Sequence, residues 1–502
     1  MKHKHGYVSF DLYIRGAVPK AFDGSLVVAA SRRNKDRSIF SRWHDSQADL
    51  FRIDLRPGKP GRIRAHVLPV DSSGADVGTT NPFGYSTQPN HGVNIAANHV
   101  WATNLLFGAP LEIDLKRWCA RRILRYLDLT PDAPQLTGTS HFAWSLDHRF
   151  AYFHQSLLER ETPSREVRAA QPVLIQLDTQ TGRERRWELL PPPDDLDLRT
   201  ANFHSAFYFE DHGQRWVGLL KTGARLENLA AHADCREHAV RPMPASTIWL
   251  LLLDDHATSL RASTMPEVQR LGALALSHLD VDATGGKGFV LYANFKQADV
   301  AEETHGVNLY GEAPEEVWEH YSGMTVEALN YGTVLRLERR NGITSLRTFS
   351  RPYDPSNTSL GHSWLPINIE LDPSRRWLFC SFGGFRPRLL SHHITTAYPG
   401  LTVDQARIRY VPPLLMRFRA DTLEVDTDKD RRHLSYAEPI AMTTVRDGAE
   451  TYVCTFSPET GLRIYEAEDL TAMVCHAVAP DLMNWEETHF RPDPAHIQFA
   501  HA

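Results

Sequence analysis

Cysteine is scarce in this chain. Five in 502 residues is sparse and odd in number, which excludes a disulfide-stapled scaffold. Cys119, Cys235, Cys380, Cys454 and Cys475 form no CxxC pair, and most sit in apolar, strand-like runs. Buried free thiols are therefore expected. Positive charge is not in excess either: 55 Lys and Arg stand against 61 Asp and Glu, for a net charge of −6. That argues against a nucleic-acid partner, whose phosphates demand a cationic surface. Long apolar runs are missing; the longest, Ile248–Leu253, falls far short of the ~20 residues that span a bilayer. The N-terminus, MKHKHGYVSFDLYIRG, is basic but has no apolar signal core. The expectation is a cytoplasmic protein with no transmembrane segment and at most peripheral membrane contact. What is present, 42% hydrophobic and 23% charged residues, excludes disorder.

Length alone would suggest about three domains. The pattern argues for one, 1–502, because a loose repeat runs through the whole chain. Its first element is an apolar alternation, a turn, and a second alternation. It occurs at 50–68, 111–127, 174–190, 248–264, 334–349, 415–427 and 463–478. Period-two alternation around a charged or Gly-containing turn marks a β-hairpin with one solvent face. Between the hairpins lie β-rich pairs ending in strongly apolar strands, such as FAYFHQSLL (150–158), WVGLL (216–220), FVLYANF (289–295) and WLFCSF (377–382). SLVVAAS (25–31) and IFSRW (39–43) form the first such pair. An inner pair plus an outer hairpin is a four-stranded antiparallel sheet. Seven of them predict an all-β fold, a seven-bladed β-propeller.

A propeller must close, because an open sheet edge invites mispairing. The C-terminal segment, residues 489–500, has no hairpin of its own and is expected to supply the innermost strand of the first blade. Three longer stretches with partly helical patterns, 222–245, 296–331 and 385–410, are expected as insertions capping one face. The GGKG at 285–288 lacks P-loop spacing and reads as a hairpin turn. The doublet His392–His393 falls in a cap segment and reads as surface.

Histidine marks the place where each inner strand begins. His91, His141, His204, His278 and His362 stand at the starts for blades two to six, Glu438 at the start for blade seven, and His496 in the closing strand. Inner strands line a propeller's axis, so equivalent starts converge at one end of the channel. Imidazoles crowded there cannot all be protonated, and neutral imidazole is a good ligand for first-row metals. One such residue among 25 histidines would be unremarkable; six at one place in the repeat point to metal. A centre that turns over keeps open positions, so four protein ligands suit an octahedral ion.

With these residues in place, the sequence resembles the carotenoid cleavage oxygenases, remotely and over nearly its whole length. The SHFAWSLD segment at His141 is similar to that family's AHPxxD motif, and HSAFYFE at His204 to its HDFAIT motif. SHLDVDA at His278 matches FHHVNAYE only at the histidine, and FRPDPAHIQF at His496 resembles RVPxGFHG. The gaps are 63 (204 minus 141), 74 (278 minus 204) and 218 (496 minus 278), similar to the family's spacing. YAEPI, with Glu438, resembles the family's GEPvF, whose carboxylate partners a ligand imidazole. The resemblance implies a ferrous iron held by His141, His204, His278 and His496, and oxidative cleavage of a conjugated C=C bond by dioxygen. The substrate it implies is a carotenoid, an apocarotenoid or a stilbene-like aromatic.

The departures concern the carboxylates around the iron. Thr284 stands where the family has Glu after its third His, with Asp280 or Asp282 as substitutes. Trp364 and His362 occupy the EFP region, and no Glu is found near Leu106–Phe107. His91 or His362 would then take part in a rearranged shell. A second reading is a binding propeller whose axial histidines are structural or hold an inert metal, since fold does not decide function. A divalent-cation hydrolase or lactonase ranks third, because such sites favour oxygen ligands.

Overall fold

The computed structural model describes residues 8–34, 47–58, 62–69, 90–96, 98–104, 109–128, 135–160, 167–222, 246–271, 278–296, 332–351, 365–383, 414–426, 432–433, 441–457, 461–470, 473–478 and 490–501. Antiparallel sheets follow one another along the chain as the seven blades of a β-propeller ring. Blade 4 is representative. Its strands Phe203–Asp211, Gln214–Lys221, Thr247–Leu252 and Ser263–Thr264 pair in sequence order from the axis outwards.

The seam lies between blades 7 and 1. The C-terminal strand Phe490–His501 pairs along Gly24–Asn34 and forms the inner strand of blade 1. The segment 25–31 thus has the C-terminal strand and Gln47–Leu55 as its partners; the expected partner 39–43 lies outside the described residues. A second closure sits outside: Val8–Gly16 pairs with Met473–Val478 of blade 7 and with Arg62–Pro69 of blade 1. This strap merges the two blades into one nine-stranded sheet.

The core is a set of interblade layers. Second strands are apolar on both faces because both are covered. Val27 and Ala29 pack on blade 2 beside Val93 and Val100, while Leu26 and Val28 pack on blade 7 beside Phe456 and Ile464. The inner strand of blade 4 is covered on both faces too: Phe207 and Phe209 face blade 5, whereas Ala206 and Tyr208 face blade 3. Burial on both faces yields near-continuous apolar runs instead of alternation. One-residue slippage would exchange the faces, so the register is strongly specified.

The outer hairpins correct one expectation. Their alternating charged residues do not all face solvent. Arg336 and Arg417, on third strands, are 9% and 2% exposed. Arg336 Nε donates to Ala420 O of blade 6 at 3.1 Å, and Arg417 Nη1 donates to Ala467 O of blade 7 at 2.6 Å. Arg52 Nη1 does the same towards Leu115 O of blade 2, at 2.5 Å. The repeat therefore encodes an arginine clamp from one blade to the next blade's outer turn. Of the cysteines, Cys380 and Cys454 are buried free thiols, whereas Cys119 is exposed.

Topology fixes what each face of the ring carries. First-to-second and third-to-fourth connections are mostly short turns, such as His212–Gly213 and Asn341–Gly342, with positive φ at both positions of each. The opposite face carries the starts of the inner strands. It also carries both ends of the three longest connections, Lys221 to Thr247, Lys296 to Gly332 and Gly383 to Leu414. The cap segments expected at 222–245, 296–331 and 385–410 fall almost wholly outside the described residues, as does His392–His393. The GGKG segment is a turn between Leu279–Asp282 and Gly288–Lys296.

Candidate metal centre

Three histidines meet at the axis on the face with the long connections. His141 lies two residues before the inner strand of blade 3, His204 is the second residue of that of blade 4, and His278 immediately precedes that of blade 5. Their nearest ring nitrogens all lie within 4.8 Å of one another. Ring centroids are 5.2 Å apart for His141–His204, 5.3 Å for His141–His278 and 5.0 Å for His204–His278. His204 and His278 are each 4% exposed, and His141 is half-buried.

The backbone explains the convergence. A β-bulge leaves His204 as the extra residue between Phe203 and Ser205. Bulges re-aim a side chain that regular pleating would send elsewhere. Ser140 N and His141 N donate to His204 O at 2.8 and 3.2 Å, and Ala206 N donates to His141 O at 2.9 Å. Blades 3 and 4 are thereby stitched together at these two histidines. His278 N donates to Asn294 Oδ1 at 2.9 Å, and Asn294 N returns a bond to His278 O at 3.2 Å.

The donor set fits a first-row metal. An imidazole nitrogen about 2.1 Å from an ion puts its ring centre roughly 3.2 Å away. Rings on opposite sides would then be about 6.4 Å apart. The observed 5.0–5.3 Å excludes opposite placement. Three rings so spaced could share one ion from the same side, which would leave its other side for further ligands.

The remaining expected site residues are placed as follows. His91 is the extra residue of an equivalent bulge in Asn90–Ala96 of blade 2. His496 lies in the closing strand, opposite Ala29. The side chains of both lie outside the described residues, as do Glu438 and His362 altogether. Asp280 sits one strand repeat from His278. Its carboxylate accepts from Leu371 N of blade 6 at 2.6 Å and Val281 N at 2.7 Å. Farther along the channel, Glu370 accepts from Thr444 N at 3.1 Å and from the Thr443 and Thr444 hydroxyls. Burial pushes both carboxyls up, and the Asp280 charge raises Glu370 further.

Sequence reasoning missed the groups that hold the histidine segments. Asn94 Oδ1 accepts from Phe142 N at 2.8 Å, and Thr103 Oγ1 donates to Ser140 O at 2.7 Å. Gly92 makes room for that approach, since a Cβ there would lie 2.0 Å from Ser140 O. The available signal was polar residues breaking otherwise apolar strands at GVNIAANHVWATN and YANF.

A β-propeller with histidines from successive blades converging on its axis is thus the class that fold and site define. No protein-family model matches the sequence, and no curated protein matches it either. Solved structures do match in fold. A point variant of the Synechocystis apocarotenoid oxygenase superposes with a TM-score of 0.55 at 13% identity, over 99% of this chain and 96% of that one. The cobalt-substituted Synechocystis enzyme superposes over the same shares, with a TM-score of 0.52 at 12% identity.

Proposed function

We propose that this chain is a remote carotenoid-oxygenase-like enzyme, a non-haem Fe(II) dioxygenase that cleaves a conjugated C=C bond to two carbonyl products. The observation that carries the reading is the convergence of His141, His204 and His278 on the axis of the ring. The matching fold of an apocarotenoid oxygenase supports it. His496, on the strand closing blade 1, is assigned as the fourth ligand. The whole chain, 1–502, is read as one domain.

His141, His204, His278 and His496 would hold a ferrous iron, which would supply dioxygen activation when bound. The protein's residues do the rest. Buried imidazoles present neutral nitrogens as donors. The backbone bonds around Ser140, His141 and His204 keep those donors in place before any ion arrives, so little reorganisation is needed. Glu438 is assigned to accept a ring N–H, and His91 and His362 to complete the shell around the ligands. An apolar conjugated substrate, a carotenoid, apocarotenoid or stilbene, enters from the face bearing the long connections.

The test is turnover of anaerobically iron-loaded protein with a stilbene, an apocarotenoid and a carotenoid under isotopically labelled dioxygen. The reading expects oxygen-dependent loss of the conjugated absorption and label in the carbonyl products. Iron that stays bound without turnover of any of the three overturns the oxygenase assignment and favours a binding propeller.

A further inference from the structure

The ligands of this site lie beside unusual neighbours. Asn94, Thr103 and Asn294 are 2%, 0% and 5% exposed, inside strands whose other buried residues are mainly apolar. Buried polar side chains persist where they make bonds that nothing else supplies. All three grip main chain at a histidine. Asn94 Oδ1 takes Phe142 N at 2.8 Å, its Nδ2 donates to Ser140 O at 3.4 Å, and Thr103 Oγ1 donates to the same oxygen at 2.7 Å. His141 is thus bracketed on both sides by blade 2. The bracket extends to blade 4, because Ser140 N and His141 N both donate to His204 O. Asn294 grips His278 N at 2.9 Å.

We infer that Asn94, Thr103 and Asn294 are positioning residues for the metal centre. Asn94 and Thr103 set the His141–His204 pair, and Asn294 sets His278. The inference rests on the metal-site reading above and deepens it. Ligand orientation here is governed by side-chain-to-backbone clamps, in a chain where Asp280 spends its carboxylate on the Leu371 and Val281 amides. Removing such a clamp frees a short segment to rotate. The ligand nitrogen then leaves its coordination direction although the ring is still present. Loss of support around ligands lowers metal affinity by about 10- to 100-fold.

The experiment uses the full chain with Asn94→Leu, Asn294→Leu and the gentler Thr103→Val. Gln155→Met serves as the control. Gln155 is fully buried and grips backbone in the same manner, taking Tyr126 N at 2.9 Å and Leu127 N at 3.0 Å and donating to Leu124 O at 3.3 Å, in the segment that follows the outer strand of blade 2. Two readouts are needed. Hydrogen exchange of the metal-free proteins should show faster exchange at Phe142 in Asn94→Leu and at His278 in Asn294→Leu. Titration with Co(II), read by its visible ligand-field bands, should show the 10- to 100-fold weakening and altered bands in the asparagine variants. Thr103→Val should shift in the same direction by less, and Gln155→Met should keep wild-type affinity. Faster exchange with unchanged Co(II) affinity and bands makes the clamps purely structural and overturns the inference. Equal weakening in Gln155→Met overturns it as well. Wild-type protein that binds no Co(II) overturns the metal reading itself, which the exchange data would reveal as a separate failure.

Discussion

Replacing Arg417 by Met tests the clamp between blades 6 and 7. Arg417 is 2% exposed. Its guanidinium donates to Ala467 O at 2.6 Å, pairs with Asp426, and lies 4.2 Å above the Trp377 ring. Methionine keeps the apolar stem and removes only the charged fork. The loss leaves a buried carbonyl without its donor, about 1–3 kcal/mol, and removes a cation–π contact of about 1–2 kcal/mol. Asp426 is 28% exposed and recovers some hydration, so its share is small. The sum is about 2–5 kcal/mol. Unfolding entropy of about 2.1 cal/mol/K per residue over 502 residues gives roughly 1 kcal/mol/K. A cooperative ring should therefore melt about 2–5 °C lower, read by scanning calorimetry. Arg419→Met is the control, because Arg419 is exposed and its guanidinium lies 5.7 Å from the same ring; it should shift melting by less than about 1 °C. Equal shifts in the two variants, or none in Arg417→Met, would refute the clamp argument.

Two further outcomes are expected. In Gly92→Ala the new Cβ would lie 2.0 Å from Ser140 O and 2.3 Å from Thr103 Oγ1. The His141 segment must then move, costing about 1–3 kcal/mol of stability and weakening metal binding; unchanged affinity in a titration contradicts this. Burial and the nearby Asp280 push the Glu370 carboxyl from its ordinary 4.5 up to about 8. A raised acid favours the folded state in its protonated form. Its contribution is complete below about pH 4.5 and is lost as pH rises through about 8. Glu370→Gln should therefore flatten the fall in stability between those values, measured by urea unfolding at a series of pH values. Parallel curves for the two proteins would rule the effect out.

Much of the ring was legible because its alternation is strong. Six of the seven expected outer hairpins coincide with paired third and fourth strands; the one at 415–427 covers blade 6's third strand and the Phe418–Val425 bridge, whereas the fourth strand lies beyond it at Arg432–His433. The seam was harder. The apolar run 25–31 has two strand partners, one almost the whole chain length away, and local pattern cannot report a pairing of that separation. The strap Val8–Gly16 was missed for the same reason. In the site, the three convergent histidines stood out by their place in the repeat. The bulge at His204 and the asparagine clamps did not, because bulges and side-chain-to-backbone bonds depend on register between strands and leave no period in the sequence. The arginine clamps were hidden differently: FRIDL, LRLERR and MRFRAD read as solvent-facing alternation until the neighbouring blade is placed beside them.

The central claim, a metal held by axial histidines, is tested most directly by metal content. Wild-type protein and His204→Ala are loaded anaerobically with ferrous iron, desalted and analysed for iron per chain. The account predicts about one retained iron in the wild type and loss of it in the variant, with similar far-UV dichroism for both. An iron-free wild type, or a His204→Ala variant that keeps one iron per chain, would contradict it.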